Sequence, residues 1–158
     1  MILIAAGSNL PFCGVDSQQI VLHSFLAIGR FTDVVAKSPL YSSPAWPDPA
    51  DPPFVNAVAE IRTDLPPAAL LAALHAVEAA FGRRRGTANA PRTLDLDLIA
   101  YGDIRSERPI LPHPRFQDRE FVLAPLCDIA PGWRPPGAAR TARELLEALP
   151  ARQARRIS

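Results

Sequence analysis

The chain reads as an α+β protein, because three observations agree. Several segments alternate apolar and polar residues at the period of a strand, two others repeat apolar residues at helical spacing, and clusters of Gly, Pro, Asn and Ser separate them. Residues 1–6 form the first expected strand, closed by the turn-forming trio Gly7-Ser8-Asn9. Asp16-Ser17 can cap a helix carrying Ile20, Val21, Leu22, Phe25 and Leu26 and ending at Gly29. A second strand is expected from Thr32 to Tyr41. After a proline-rich loop, Phe54–Thr63 alternates again, with Val55, Ala57, Ala59 and Ile61 on one face and Phe54, Asn56, Val58 and Glu60 on the other. Pro66-Pro67 suits the first turn of a helix with the stripe Leu70, Leu74, Val77 and Phe81, and Gly82 suits its C-terminal cap.

A last strand spans the run PRTLDLDLI at residues 91–99. The order strand, helix, strand, strand, helix, strand is that of a ferredoxin-like βαββαβ sandwich. Such a fold has a mostly antiparallel sheet with its helices on one face, leaving the other face available. Beyond it, Phe121–Leu126 reads as a short extended piece and Thr141–Leu149 as a short helix, the latter within a C-terminal extension, residues 132–158, of a single domain covering residues 1–158.

Composition narrows the function. Hydrophobic residues at 48% and charged residues at 21% describe a folded globular chain, and a net charge of +1 excludes a globally basic binder of nucleic acid or membrane surface. Cys13 and Cys127 belong to no CxxC or Cys/His cluster, so neither a disulfide framework nor a zinc site is indicated. MILIAAGSNL has no charged leader region and too short an apolar run for a signal peptide or membrane span, which predicts a cytoplasmic protein.

The chemistry concentrates in PRTLDLDLI. Leu94, Leu96 and Leu98 alternate with Asp95 and Asp97, so both carboxylates lie on the face opposite the leucines. Asp is disfavoured in strands, and two like charges about 5 Å apart repel by roughly 3 kcal/mol at an effective dielectric near 20. A positive partner is therefore expected. Hard cations such as Mg²⁺ take one or two carboxylates together with water and phosphate oxygens. Just upstream, GRRRGTANAPR places Arg83, Arg84, Arg85 and Arg92 around a loop, more cations than a helix dipole needs. Downstream, PHPRFQDREF supplies His113, Arg115 and Arg119. Paired acids for a metal and arginines for phosphate are what phosphoryl transfer requires. No G-x-x-x-x-G-K-[ST] or G-x-G-x-x-G loop is present, so phosphate would be held by side chains.

GSN at 7–9, FVNAV at 54–58, Glu78 followed by GRRR at 82–85, PRTLDLDLI at 91–99, LPHP at 111–114 and DREFVLAPL at 118–126 resemble the successive signatures of the 6-hydroxymethyl-7,8-dihydropterin pyrophosphokinase family. The resemblance covers roughly residues 1–131. It implies a ferredoxin-like fold and an ATP-dependent diphosphotransferase of folate biosynthesis. Such an enzyme passes pyrophosphate from ATP to the hydroxymethyl group of the dihydropterin and releases AMP, with two Mg²⁺ ions.

Residue by residue, the resemblance assigns both metal ions to Asp95 and Asp97 and the phosphate-engaging loop arginines to Arg83 and Arg92. His75, Glu78, Arg85, Arg108, His113 and Arg119 fall on the nucleotide site, with Arg92 shared. Phe54 and Phe121 would stack the pterin and Asn56 would meet its amide-like edge, aided by Ser43 and main-chain groups from Pro44 to Trp46. The chain departs from the common pattern at four places: His75 for Gln, Phe54 for Tyr, Ser43 for Thr, and Asn89-Ala90 where many members carry Trp-Gly in a loop one residue longer.

Two other classes use related features. Nucleotidyltransferases of the Gly-Ser plus Asp-x-Asp type keep those elements close in sequence, whereas Gly7-Ser8 and Asp95 lie far apart here. An RNA-binding module on this fold would carry an aromatic-rich strand and a basic surface, and neither is present. The expected partners are ATP and the pterin alone, with a monomeric chain and neither nucleic acid nor membrane.

Overall fold

The computed structural model describes residues 1–158. Its elements run β1 (Ile2–Ser8), α1 (Ser17–Ile28), β2 (Asp33–Lys37), β3 (Tyr41–Ser43), β4 (Phe54–Arg62), α2 (Pro67–Ala80), β5 (Asp95–Tyr101), β6 (Ser106–Glu107), β7 (Ile110–Leu111), α3 (Glu120–Ile129), α4 (Ala142–Glu147) and β8 (Arg155–Arg156). The main sheet has the order β5-β1-β4-β3-β8, with β2 also paired to β4; β6 and β7 form a separate hairpin. Every pairing is antiparallel, as the ferredoxin-like expectation required. No helix is long and apolar enough to cross a membrane.

The alternation of β4 sorts its side chains as expected. Val55, Ala57, Ala59 and Ile61 join Ile4, Ala6, Leu96 and Leu98 under α1 and α2 in one core. The N-cap Asp16 accepts the Gln19 N–H at 2.9 Å, and Pro67 opens α2. Two expectations need adjustment. Gly7 and Ser8 belong to β1 rather than to a turn, because they pair with Asn56 and Val55 of β4. Thr32–Tyr41 is two strands rather than one. Pro39 has no N–H to give a ladder, and at this break Ser38 takes over: its N–H donates to Val58 O at 2.9 Å and its Oγ accepts from Val58 N at 3.0 Å.

The second face of the sheet is not left open along its whole length. Phe121–Leu126 lies within helix α3 and is not extended, because Val122, Leu123 and Leu126 have helical spacing and bury together against Leu3, Ala5, Val58 and Ile99. α4 completes this layer with Ala142 and Leu145, held by a capping box between Thr141 and Glu144. Phe116 and Trp133 pack beside it, ring centroids 5.8 Å apart. What stays uncovered is the end of the sheet near the start of β5, where the two aspartates lie.

The end of α2 aims the arginine run. Gly82 N–H donates to Ala79 O and Arg83 N–H to Glu78 O, both at 3.0 Å, the two bonds of a Schellman cap with Gly82 at φ +78°. A Cβ on Gly82 would sit 2.3 Å from Phe12 Cε2. Gly82→Ala should therefore lose about 2 kcal/mol or more in urea unfolding. Gly86→Ala, whose added Cβ meets nothing within 4 Å, should stay within about 0.5 kcal/mol of the parent.

Candidate active site

Sheet register sets the floor of the site. Asp95 lies opposite Gly7 on β1, Gly7 opposite Asn56 on β4, and Asn56 opposite Tyr41 on β3, so acid, glycine and amide form one row across three strands. The next row on this face holds Asp97, Ala5 and Val58. At a strand spacing near 4.8 Å, the backbones of Asp95 and Asn56 stand about 10 Å apart. Gly7 leaves the gap between them clear. A Cβ there would meet Asn56 Oδ1 at 3.0 Å and Phe54 Cδ1 at 3.7 Å. Gly7 thus belongs to the candidate site, a place that sequence reading, which met it only within the GSN signature, did not assign to it. The available signal was a glycine inside a strand, which marks a close approach.

The positive partner demanded by the acid pair is present, and it is arginine. Asp95 Oδ1 accepts from Arg83 Nη1 and Asp95 Oδ2 from Arg92 Nη1, each at 3.0 Å. Arg83 Nη1 also donates to Leu94 O at 2.8 Å. Asp97 Oδ2 accepts from Arg119 Nη1 at 3.3 Å, and the Arg119 guanidinium stands 5.6 Å from the Phe121 ring centroid. Four segments of the chain therefore converge: the α2 cap, the run before β5, β5 itself and the start of α3.

Arg92 is anchored by another residue sequence reading did not single out. Asn9, 3% exposed, accepts the Arg92 N–H on Oδ1 at 2.8 Å, gives its own N–H to Arg92 O at 3.1 Å, and donates from Nδ2 to Pro52 O at 3.1 Å. It joins the arginine loop to the proline loop preceding Phe54. Its signal in sequence, an Asn after a strand, is indistinguishable from an ordinary turn.

His113 sits beside Asp97, with Nε2 3.9 Å from Oδ1. Burial and the adjacent Arg119 push its pKa down. Nδ1 accepts the Arg115 N–H at 3.2 Å, which places the proton of the neutral ring on Nε2. The His113 N–H donates to Ile99 O at 2.8 Å, at the register shift where β5 carries an extra residue opposite β1.

The remaining expected residues fall in different settings. Asn56 Nδ2 donates to Ser43 Oγ at 2.8 Å, both side chains being buried. Phe54 and Phe121 are half-buried, Phe54 near Gly7 and Phe121 against the α3 core. Pro44 is exposed and Trp46 is 72% exposed. Glu78 is 3% exposed; its Oε1 accepts the Leu96 N–H at 2.7 Å, so it seals the edge strand β5 to α2, and Arg85 approaches Oε2 at 3.6 Å. Burial raises the Glu78 pKa. His75 is exposed on α2, and Arg108 is exposed in the β6–β7 turn.

Burial, then the charge of Asp95, push the Asp97 carboxyl up to about 6 against the pull of Arg119. Even with arginines present, the folded chain holds this charge reluctantly. Thr93 Oγ1, two positions before Asp95, is a buried hydroxyl that no protein atom satisfies. The face offers hard oxygen donors, arginines and an adjacent amide and aromatic, and it has no Gly-rich phosphate loop.

Fold and site together describe a ferredoxin-like domain with paired acids and arginines converging on one end of its sheet. The family model of 7,8-dihydro-6-hydroxymethylpterin-pyrophosphokinase matches residues 3–131, and the chain belongs to that family. A 2-amino-4-hydroxy-6-hydroxymethyldihydropteridine pyrophosphokinase of Pseudomonas aeruginosa is 44% identical over 152 residues, covering 94% of this chain and 91% of that protein. The Synechocystis protein of the same name is 44% identical over 124 residues, covering 77% of this chain and 63% of its own. In structure, the wild-type HPPK-DHPS of Plasmodium falciparum aligns with a TM-score of 0.68 at 12% identity, over 92% of this chain and 40% of that one, a likeness of fold. The chain is accordingly a pyrophosphokinase, a diphosphotransferase of folate biosynthesis.

A carboxyl whose folded pKa lies above its unfolded value binds more protons folded than unfolded between the two. Its charge therefore costs stability as pH rises from 3.8 toward about 6, and fully above that. Asp97→Asn should be more stable than the parent by about 1–3 kcal/mol at pH 7.5, the lower figure allowing for partial exposure. The difference should vanish near pH 4 when urea unfolding is repeated across the range.

Proposed function

We propose that the Asp95–Gly7–Asn56 face carries the family's reaction within one domain spanning residues 1–158, acting as a monomer. The hydroxymethyl oxygen of 6-hydroxymethyl-7,8-dihydropterin attacks the β-phosphorus of ATP. An O–P bond forms there, the bond from that phosphorus to the α–β bridging oxygen breaks, the hydroxyl proton is lost, and AMP leaves. The observation that carries this reading is the row itself. It sets Asp95 and Asn56 about two strand spacings apart, with no side chain between them, which supports a phosphate side and a pterin side on one face.

On the phosphate side, Asp95 and Asp97 would hold two Mg²⁺ ions. The donor set fits: two hard carboxylates are what Mg²⁺ takes from a protein when substrate phosphates complete its shell. Magnesium bound there supplies neutralisation of the transferring phosphoryl charge. Arg83 and Arg92, which bond Asp95, exchange that carboxylate for phosphate oxygens as the nucleotide arrives. Arg119 and the neutral His113 Nε2–H donate from the opposite side of Asp97, while His75, Glu78, Arg85 and Arg108 line the nucleotide.

On the pterin side, Ser43 uses one Asn56 Nδ2 hydrogen and so fixes the amide with Oδ1 beside Gly7. That oxygen accepts from the pterin edge, and Phe54 and Phe121 supply flat faces for the ring, with backbone groups from Pro44 to Trp46 closing the rim. A buried amide left unpaired by an analogue without the matching donor rejects it.

The reaction is tested with the pure protein, ATP, Mg²⁺ and hydroxymethyl-dihydropterin: AMP should accumulate in step with the pterin diphosphate, and stoichiometric ADP would contradict attack at the β-phosphorus. The arginine exchange makes a second claim, because interactions that form only as the phosphates react act on the transition state. Arg83→Ala and Arg92→Ala should lower kcat more than tenfold, above about 1.4 kcal/mol, while the ATP Kd from direct titration moves less than about threefold. A large rise in Kd with unchanged kcat would mean that both arginines bind ground and transition states alike.

A further inference from the structure

Beyond the family-matched region, residues 150–158 return to the sheet beside the proposed pterin wall, and three sets of bonds hold them. Glu120 Oε2 accepts the N–H of Gln153 at 2.6 Å and of Ala154 at 3.0 Å. β8 then pairs with β3, Arg155 opposite Ser42 and Arg156 opposite Tyr41. Ile157 N–H donates to Leu40 O at 2.9 Å, and Leu40 N–H donates to Ser158 Oγ at 2.7 Å.

Both attachment points adjoin pterin residues. Glu120 precedes Phe121 at the start of α3, and β3 ends at Ser43, the partner of Asn56. β3 has three residues and would be the bare edge of the sheet without β8. One further tie crosses between β3 and α3, the Tyr41 hydroxyl donating to Asp128 Oδ2 at 2.7 Å. Hydrogen bonds rather than apolar packing hold the segment: eight of its nine residues are exposed, and a cavity of about 240 Å³ lies beneath, lined by Tyr41, Glu120, Cys127 and Ala154 among others.

We infer that residues 150–158 act as a strap that sets the separation of β3 and the α3 N-terminus, with Glu120 and Ile157 as positioning residues for the pterin wall. The strap acts on the Ser43–Asn56 pair and Phe121 and leaves the Gly82–Arg92 loop alone, so it governs pterin affinity more than nucleotide affinity, the two sharing only Arg119 beside Glu120. This rests on the reading that the pterin binds at Asn56, Ser43 and Phe121.

The test uses the full-length chain with Mg²⁺ and a non-hydrolysable ATP analogue, measuring analogue and pterin Kd by calorimetry and amide exchange at Tyr41–Ser43. Glu120→Ala removes the acceptor, and Ile157→Pro removes the donor to Leu40. Each should speed β3 exchange and raise the pterin Kd about 3- to 10-fold, with the analogue Kd within about twofold. Glu120→Gln, which retains an acceptor, should restore the pterin Kd. Faster exchange with unchanged pterin Kd, unchanged exchange, or equal weakening of both ligands would each overturn the strap. Asn56→Ala separates the two levels: if it leaves pterin affinity intact, the site reading itself fails, whereas if it weakens the pterin and the strap variants do not, only the strap is lost.

Discussion

Two carboxylates on one face of an edge strand are the constraint around which this molecule is arranged. Asp95 and Asp97 cannot move apart, because strand geometry puts alternate side chains on the same side, and both are only partly open to water. The chain answers with cations brought from three directions. A Schellman turn delivers Arg83, backbone pairing with Asn9 delivers Arg92, and the turn ahead of α3 delivers Arg119. Each delivery uses local backbone chemistry, so the charge cluster depends on caps and turns more than on the hydrophobic core beneath.

The same arrangement explains why the site is poor in stability and rich in potential chemistry. The Asp97 pKa of about 6 means that the arginines do not fully offset burial and the neighbouring charge. Holding two carboxylates this close carries a deficit in stability, and residues kept in such a costly arrangement commonly exchange stability for function. The cost is kept local. Glu78 seals the Leu96 N–H on the outer edge of β5, and the opposite face of the strand is packed with leucines.

On the second face of the sheet, α3 and α4 cover the part built from Leu3, Ala5, Val58 and Ile99, and the Asp95–Gly7–Asn56 row lies beyond it. The loops flanking that row are tied together by Asn9, which bonds both Pro52 and Arg92. The proline loop before Phe54 and the arginine loop before β5 therefore share one buried side chain, which mechanically links two regions that are distant in sequence.

Much of this was legible in the residues alone. The α1 cap at Asp16, the α2 stripe and its Gly82 ending, the inward faces of β4 and β5, and the exposure of Asp95 and Asp97 opposite their leucines all follow from periodicity and cap chemistry, which act over a few residues. The helical state of Phe121–Leu126 did not follow, because a short apolar run containing Pro125 reads equally well as extended until a sheet face exists for Val122, Leu123 and Leu126 to cover. The break at Pro39 hid inside one apparent strand, since only the partner strand reveals which N–H groups must be paired. Gly7 and Asn9 read as a turn because their meaning lies in register with β4 and β5 and in bonds to Pro52 and Arg92. Short-range sequence thus determined which residues could be helix, strand, cap or charge. Tertiary structure decided which of those charges meet, because the pairing of Asp95 with Arg83 and Arg92, and of Asp97 with Arg119, is set by how strands align and loops close, and neither is written in any single segment.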